Sequence, residues 1–275
     1  MAQPASSKKE LGLKTTPPCV KDSQHVNRGG VFLFVDTFTT NCFTISMFHK
    51  IPRLDLYTSN HGWLQSRFLF SFADYYDPNN LEWGSLRVFN DDTIAPYSGF
   101  PMHSHKEMEI ITIMLTGTLS HKDSMGNTRS ISTGDVQYMS AGTGVTHSEM
   151  NDGDSPVSLF QIWLYPNEAN LKPKYIEENF NHTEDKGLHL LVSQNGENGS
   201  IRANTNASLF YANLIKGGTH TRHIKESDHI LIYVRTGIIV CGGNHLEKGD
   251  QLRIHDEKLL TISVIQDAQF MMVLS

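Results

Sequence analysis

From Met47 onward the chain is built of short apolar runs, rich in Val, Ile, Phe, Tyr and Thr and punctuated by Gly, Asn and Asp, which is the pattern of strands and turns. Ile110–Leu115, Gly134–Met139, Leu159–Leu164, Leu188–Val192, Ile230–Val234 and Leu259–Ile265 are the clearest of them. Nowhere do apolar positions recur at helical spacing through three turns. The pattern predicts an all-β protein, either a sandwich or a barrel. Residues 1–46 read differently: Lys, Ser and Pro dominate to Lys21, a lone apolar run spans Val31–Val35, and a Thr-rich stretch ends at Ser46. They are expected to form an N-terminal extension outside the core fold, and Met47 could itself serve as an initiator.

A weak internal repeat sharpens this reading. Leu115-Thr116-Gly117 is followed, seventeen residues after its glycine, by Gly134-Asp135, and Arg235-Thr236-Gly237 is followed, twelve residues after, by Gly249-Asp250. Each copy reads as a strand, a glycine turn, a return strand and a second turn. Gly-Asp turns also recur by chance in β proteins, but the natural reading is two related β-barrels in tandem. The first is placed at 47–165 and the second at 188–275, with a connector rich in Asn, Glu, Lys and Pro over 166–187.

Composition narrows the classes of function. At 275 residues the chain can bury roughly three quarters of its unfolded surface and needs no disulfide staples. With 39% hydrophobic and 19% charged residues it is globular rather than disordered or fibrous. No apolar run approaches the roughly 18 residues of a helical membrane span. A formal charge of −6 provides no basic field for nucleic acid or anionic lipid. Cys19, Cys42 and Cys241 are odd in number, widely spaced and free of any CxxC pattern, which argues against a disulfide framework or thiolate zinc site and for a reducing cytoplasm. Sequons at Asn181, Asn198 and Asn206 lack an accompanying signal-peptide pattern and read as chance.

The unusual count is histidine, at 14. His103 and His105 are two apart just before the run Glu109–Leu115, so strand geometry sends both imidazoles to one face, and Glu109 keeps their parity. His147 and Glu149, again two apart, offer an imidazole and a carboxylate on a second strand. Together these supply three nitrogens and one or two carboxylate groups without sulfur, a set suited to Fe(II), Mn, Co, Ni, Cu or Zn. A lone H-x-H also describes surface histidines on an edge strand, and H-x-E is weaker still. Their context lifts them: Gly99 precedes the first, Gly117 follows it, and Gly134-Asp135 and Ala141–Gly144 precede the second. A Ser148-based triad fails because neighbouring strand residues point to opposite faces. Gly142-Thr143-Gly144 lacks the lysine and following helix of a phosphate loop.

Gly99–Ile110 resembles the first cupin motif, and Gly134–Glu149 resembles the second as it appears in the pirin family. His61–Leu64, Phe70–Tyr76, Leu86–Asp92, His121–Asn127 and Gln161–Trp163 also look like pirin segments, so the resemblance runs from about Met47 to Tyr165. It implies two tandem cupin, jelly-roll-like barrels, with one metal ion in the N-terminal barrel only. Iron(II) is implied first, held by His103, His105, His147 and Glu149. The general cupin pattern would nominate Glu109 instead, and the pirin pattern is preferred because Ser148-Glu149 follows His147. The second barrel is expected to be metal-free, to pack against the first barrel and to cover part of its sheet edge: twelve residues from Asp135 lies His147, twelve from Asp250 lies Ile262, and His220 and His223 have the wrong spacing.

The resemblance implies a quercetin 2,3-dioxygenase activity, in which a planar flavonol and O2 react at the metal; the residues fit that chemistry, with Glu149 expected as general base and Phe100, Met102 and Met114 expected to line an apolar barrel mouth. An alternative is a non-catalytic, redox-responsive metal protein that binds another protein, whose identity the sequence does not indicate. A vestigial cupin with an adventitious metal is the third reading.

Overall fold

The computed structural model describes residues 47–180 and 185–275; the extension 1–46 and its Val31–Val35 run lie outside them. The first strands are β1 (Met47–Ile51), β2 (Tyr57–Asn60), β3 (Leu64–Phe68), β4 (Leu86–Ile94), β5 (Ser98–His105), β6 (Glu109–Thr116) and β7 (Thr118–Asp123). Then come β8 (Thr128–Ser132), β9 (Asp135–Ser140), β10 (Val145–Asn151), β11 (Val157–Leu164), β12 (Lys174–Asn179) and β13 (Gly187–Ser193). The remainder are β14 (Ile201–Arg202), β15 (Ser208–Leu214), β16 (Thr219–His223), β17 (Ile230–Cys241), β18 (Asn244–Glu247), β19 (Gln251–His255) and β20 (Leu259–Leu274). Five of the six clearest apolar runs fall wholly within strands and the sixth, Gly134–Met139, does so from Asp135 onward; the protein is two cupin-type domains, nearly all β.

The first barrel faces a seven-stranded sheet, ordered β12-β9-β6-β11-β4-β3-β2, with a four-stranded one, β5-β10-β7-β8. The second is a nine-stranded sheet with the main order β1-β19-β17-β20-β15-β13-β14. The strands at both joints extend the sheets beyond the expected bounds. Met47–Ile51 pairs with β19 in the second sheet, while Lys174–Asn179, within the stretch read as a connector, pairs with β9 in the first.

The largest apolar core explains why β6 is buried from Glu109 through Leu115 without alternation. Phe89, Ile111 and Phe160, from one face of the seven-stranded sheet, join Leu209, Leu231 and Tyr233 of the second sheet in a single cluster. The second domain thus packs over a face of the first, because a sheet buried on both faces needs an apolar partner layer. On its other face β6 supplies Ile110 and Met114 to the interior of the first barrel.

The internal repeat is structural. Gly117 and Gly237 both take φ +81°, where an L side chain is strained. Asp135 accepts a hydrogen bond from the N–H of Ser132, and Asp250 from that of Glu247, each three residues back. Corresponding turns therefore close the same way in both barrels.

Candidate metal centre

Strand β10 lies between β5 and β7, and its registers bring the histidines together. His147 is opposite His103, Val145 opposite His105, and a bulge between His147 and Glu149 resets the pairing so that Glu149 faces Phe100. On the other edge, Glu149 is opposite His121 and His147 opposite Asp123. The ring centroids of His103, His105 and His147 are 4.4–4.9 Å apart. Donor atoms of these three residues all lie within 4.8 Å of one another, and so do those of His121, His147 and Glu149. His147 belongs to both groups.

The hydrogen bonds decide which atoms are free. His103 Nδ1 lies 2.7 Å from the carbonyl of Pro101 and must donate to it, which leaves Nε2 as a lone-pair donor. His105 Nε2 and both nitrogens of His147 are buried with no hydrogen-bond partner. Orphaned buried nitrogens cost about 1–3 kcal/mol each unless something satisfies them, and a metal ion does so. His121 Nε2 donates to Asp123 at 3.1 Å and its Nδ1 is likewise without a partner. Glu149, only 3% exposed, accepts from Thr112 at 3.1 Å, Gln137 at 3.3 Å and Gln161 at 3.0 Å. These donors stand on the facing sheet and fix the carboxylate's orientation. Trp163 stacks edge-on to His105 at 4.8 Å, and its indole N–H has no partner.

Burial, then the charges of His147 and His103, lowers the His105 pKa to about 4. Burial, then His103 and His121, lowers that of His147 to about 3. Both imidazoles are therefore neutral at neutral pH, the form in which a ring nitrogen can bind a metal. Their ordinary value is 6.5, so from about pH 6.5 down to about pH 4 for His105 and about pH 3 for His147 the unfolded chain takes up protons that the folded chain refuses. The metal-free protein is therefore expected to be fully stable above that window and to lose stability as pH falls through it. Denaturant titrations across the window test this, and the slope should shrink in His147→Ala.

Residues 50–164 match the family model described as Pirin, and residues 190–273 the Quercetinase C-terminal cupin domain. The quercetin 2,3-dioxygenase of Escherichia coli is 38% identical over 215 residues, covering 78% of this chain and 92% of that protein. A pirin-like protein of Caulobacter vibrioides is 36% identical over 229 residues, 82% of this chain and 99% of that one. This chain belongs to the pirin family. The crystal structure of the bacterial pirin YhhW from Escherichia coli in complex with nickel(II) superposes with a TM-score of 0.80 at 35% identity, covering 83% of this chain and 98% of that one.

Within this pirin fold Glu109 is on the wrong face. It is buried among Tyr138 and Ser140, which both donate to its carboxylate, on the side where Asn204 of the second domain bonds Tyr138. Burial raises its pKa despite those bonds. The parity counted from His103 fails because β5 ends at His105 and Glu107 takes a positive φ of 50°, which breaks the alternation. Met102, 54% exposed, does not join Phe100 and Met114 in packing against the barrel's apolar interior.

Sequence reasoning missed His121 and the three residues that hold Glu149. The H-x-D spacing of His121 and Asp123 was the available signal: Asp123 also accepts from Met125 and twice from Asn127, which locks the turn beneath His121. Burial raises the Asp123 pKa, but the bonds from Asn127 and His121 outweigh it and the net shift is downward.

The second barrel has a different interior. Ile262, at the count that reaches His147 in the first barrel, is buried in an apolar cluster with Phe210, Ile232 and Phe270. His220 and His223 lie on the exposed strand β16.

Proposed function

We propose that this pirin is a metal-dependent dioxygenase that opens the heterocycle of a quercetin-type flavonol with O2 and releases carbon monoxide. The observation that carries this reading is His147, with two unpartnered ring nitrogens inside the first barrel beside His103 and His105. His103, His105 and His147 would hold a divalent ion through nitrogen and Glu149 through oxygen, with iron(II) first and Mn, Co, Ni, Cu or Zn also suited to the donor set. When bound, such an ion supplies Lewis acidity toward the flavonol 3-hydroxyl and a site for dioxygen. Glu149 receives the 3-hydroxyl proton, with Thr112, Gln137 and Gln161 fixing its two oxygens and with donor atoms of His121 and His147 within 4.8 Å of it. Trp163 offers an unpartnered N–H beside His105, and the partly buried Phe100 ring provides an apolar wall for a planar substrate. The names of the relatives support the substrate class. Among the described residues Cys241 is a buried free thiol, in keeping with the reducing cytoplasm included in this proposal.

Metal-loaded protein prepared without nickel resin is expected to consume dioxygen and release carbon monoxide with quercetin. Glu149→Gln, assayed per bound metal, should lower turnover by about 100-fold or more if it removes a general base. Metal-loaded protein that binds quercetin yet consumes no dioxygen would replace this reading with that of a redox-responsive binding protein.

A further inference from the structure

On the opposite face of the seven-stranded sheet from the histidines, a cleft of about 520 Å³ opens where the two domains meet. Four cationic side chains line it: Arg53, Arg67, Arg235 and Lys248; the one carboxylate there is Asp91. That leaves a local excess of three positive charges (four minus one) in a chain whose formal charge is −6. Arg67 and Asp91 are register partners on adjacent strands, 3.5 Å apart. Among the described residues Arg53, Arg235 and Lys248 make no ion pair within 4.0 Å.

Three of the four cations, the arginines, are held in place rather than left to disperse. Arg235 donates to Tyr211 at 3.0 Å and Gln269 at 3.3 Å. The Arg53 side chain lies so close over Gly249 that a Cβ there would meet it at 2.8 Å, which keeps it beside Lys248. Arg67 also carries a buried Nε–H with no hydrogen-bond partner. Like charges gathered round one cavity repel unless an anion sits among them, and guanidinium groups suit planar oxyanions.

We propose that this cleft binds a small polyanion carrying two or more negative charges on oxygen, either a phosphate compound or a polycarboxylate. The hydroxyl groups of Thr58, Thr93 and Ser158 on its wall add donors for such a ligand. The ligand sits apart from the histidine cluster, since Thr112 and Gln161 point to the other face of the same sheet.

Calorimetric titration of the metal-loaded full chain at constant ionic strength tests this, with pyrophosphate, propane-1,2,3-tricarboxylate and acetate as probes and metal content measured before and after. One equivalent of pyrophosphate or tricarboxylate is expected to bind, and acetate to give no saturable signal; whichever polyanion binds more tightly identifies the class. Arg53→Glu combined with Lys248→Glu, both exposed, should weaken the affinity on the order of tenfold or more. His147→Ala should leave it unchanged. Absence of binding by both polyanions, affinity unaltered in the double variant, binding lost in His147→Ala, or heat that tracks metal loss would each overturn the proposal.

Discussion

Replacing His147 with alanine is expected to abolish stoichiometric metal binding. This is the largest functional effect expected of any single substitution, because His147 is the shared member of both candidate groups. It is 1% exposed, both its nitrogens lack partners, and burial keeps it neutral. Removing one imidazole of three takes away a metal bond outright, whereas loss of a residue that only orients a ligand typically costs 10–100-fold in affinity. The metal-free fold should survive, since the orphaned nitrogens stabilise nothing in it and their loss offsets the packing lost with the ring. Metal analysis and the metal-induced rise in melting temperature are the readouts; a ligand at about 1,000 times its Kd stabilises by roughly 4 kcal/mol, and the variant should show no such rise. His220→Ala, on the exposed strand β16, should behave as wild type.

The second large effect is on stability, at the layer between the domains. Tyr233 is 1% exposed, with its ring centroid 5.3 Å from Phe89 and 5.8 Å from Phe160, and its hydroxyl donates to Asp91 at 2.7 Å. Tyr233→Ala empties the centre of the shared core and leaves the Asp91–Arg67 pair without its hydroxyl partner, so a loss of about 3–5 kcal/mol is expected. Tyr233→Phe keeps the ring and should cost about 1–2 kcal/mol. At roughly 2–4 °C per kcal/mol, the alanine variant should melt some 10 °C lower. Because one apolar cluster spans both sheets, both domains should unfold in one transition. Separate melting of the two would contradict the shared core.

Much of this was legible in the sequence because strand geometry is local. His103 with His105, and His147 with Glu149, each obey the period of two, so their sidedness could be read directly. The continuous apolar run of β6 already carried the mark of a sheet covered on both faces. What could not be read depends on distant register or on a broken period. His121 meets Glu149 only through the β7–β10 pairing. Glu109 lost its apparent parity at the positive φ of Glu107. The strands at Met47–Ile51 and Lys174–Asn179 chose partners over long sequence separations, which no local pattern encodes.

The most direct test of the metal centre is an anomalous difference map from crystals of metal-loaded protein, collected at the absorption edge of the bound ion. One strong peak per chain is expected, bonded at about 2.0–2.2 Å to nitrogens of His103, His105 and His147 and to an oxygen of Glu149. A peak bonded to His121 in place of His103 and His105, a peak in the second barrel, or no peak from protein shown to carry the metal would contradict it.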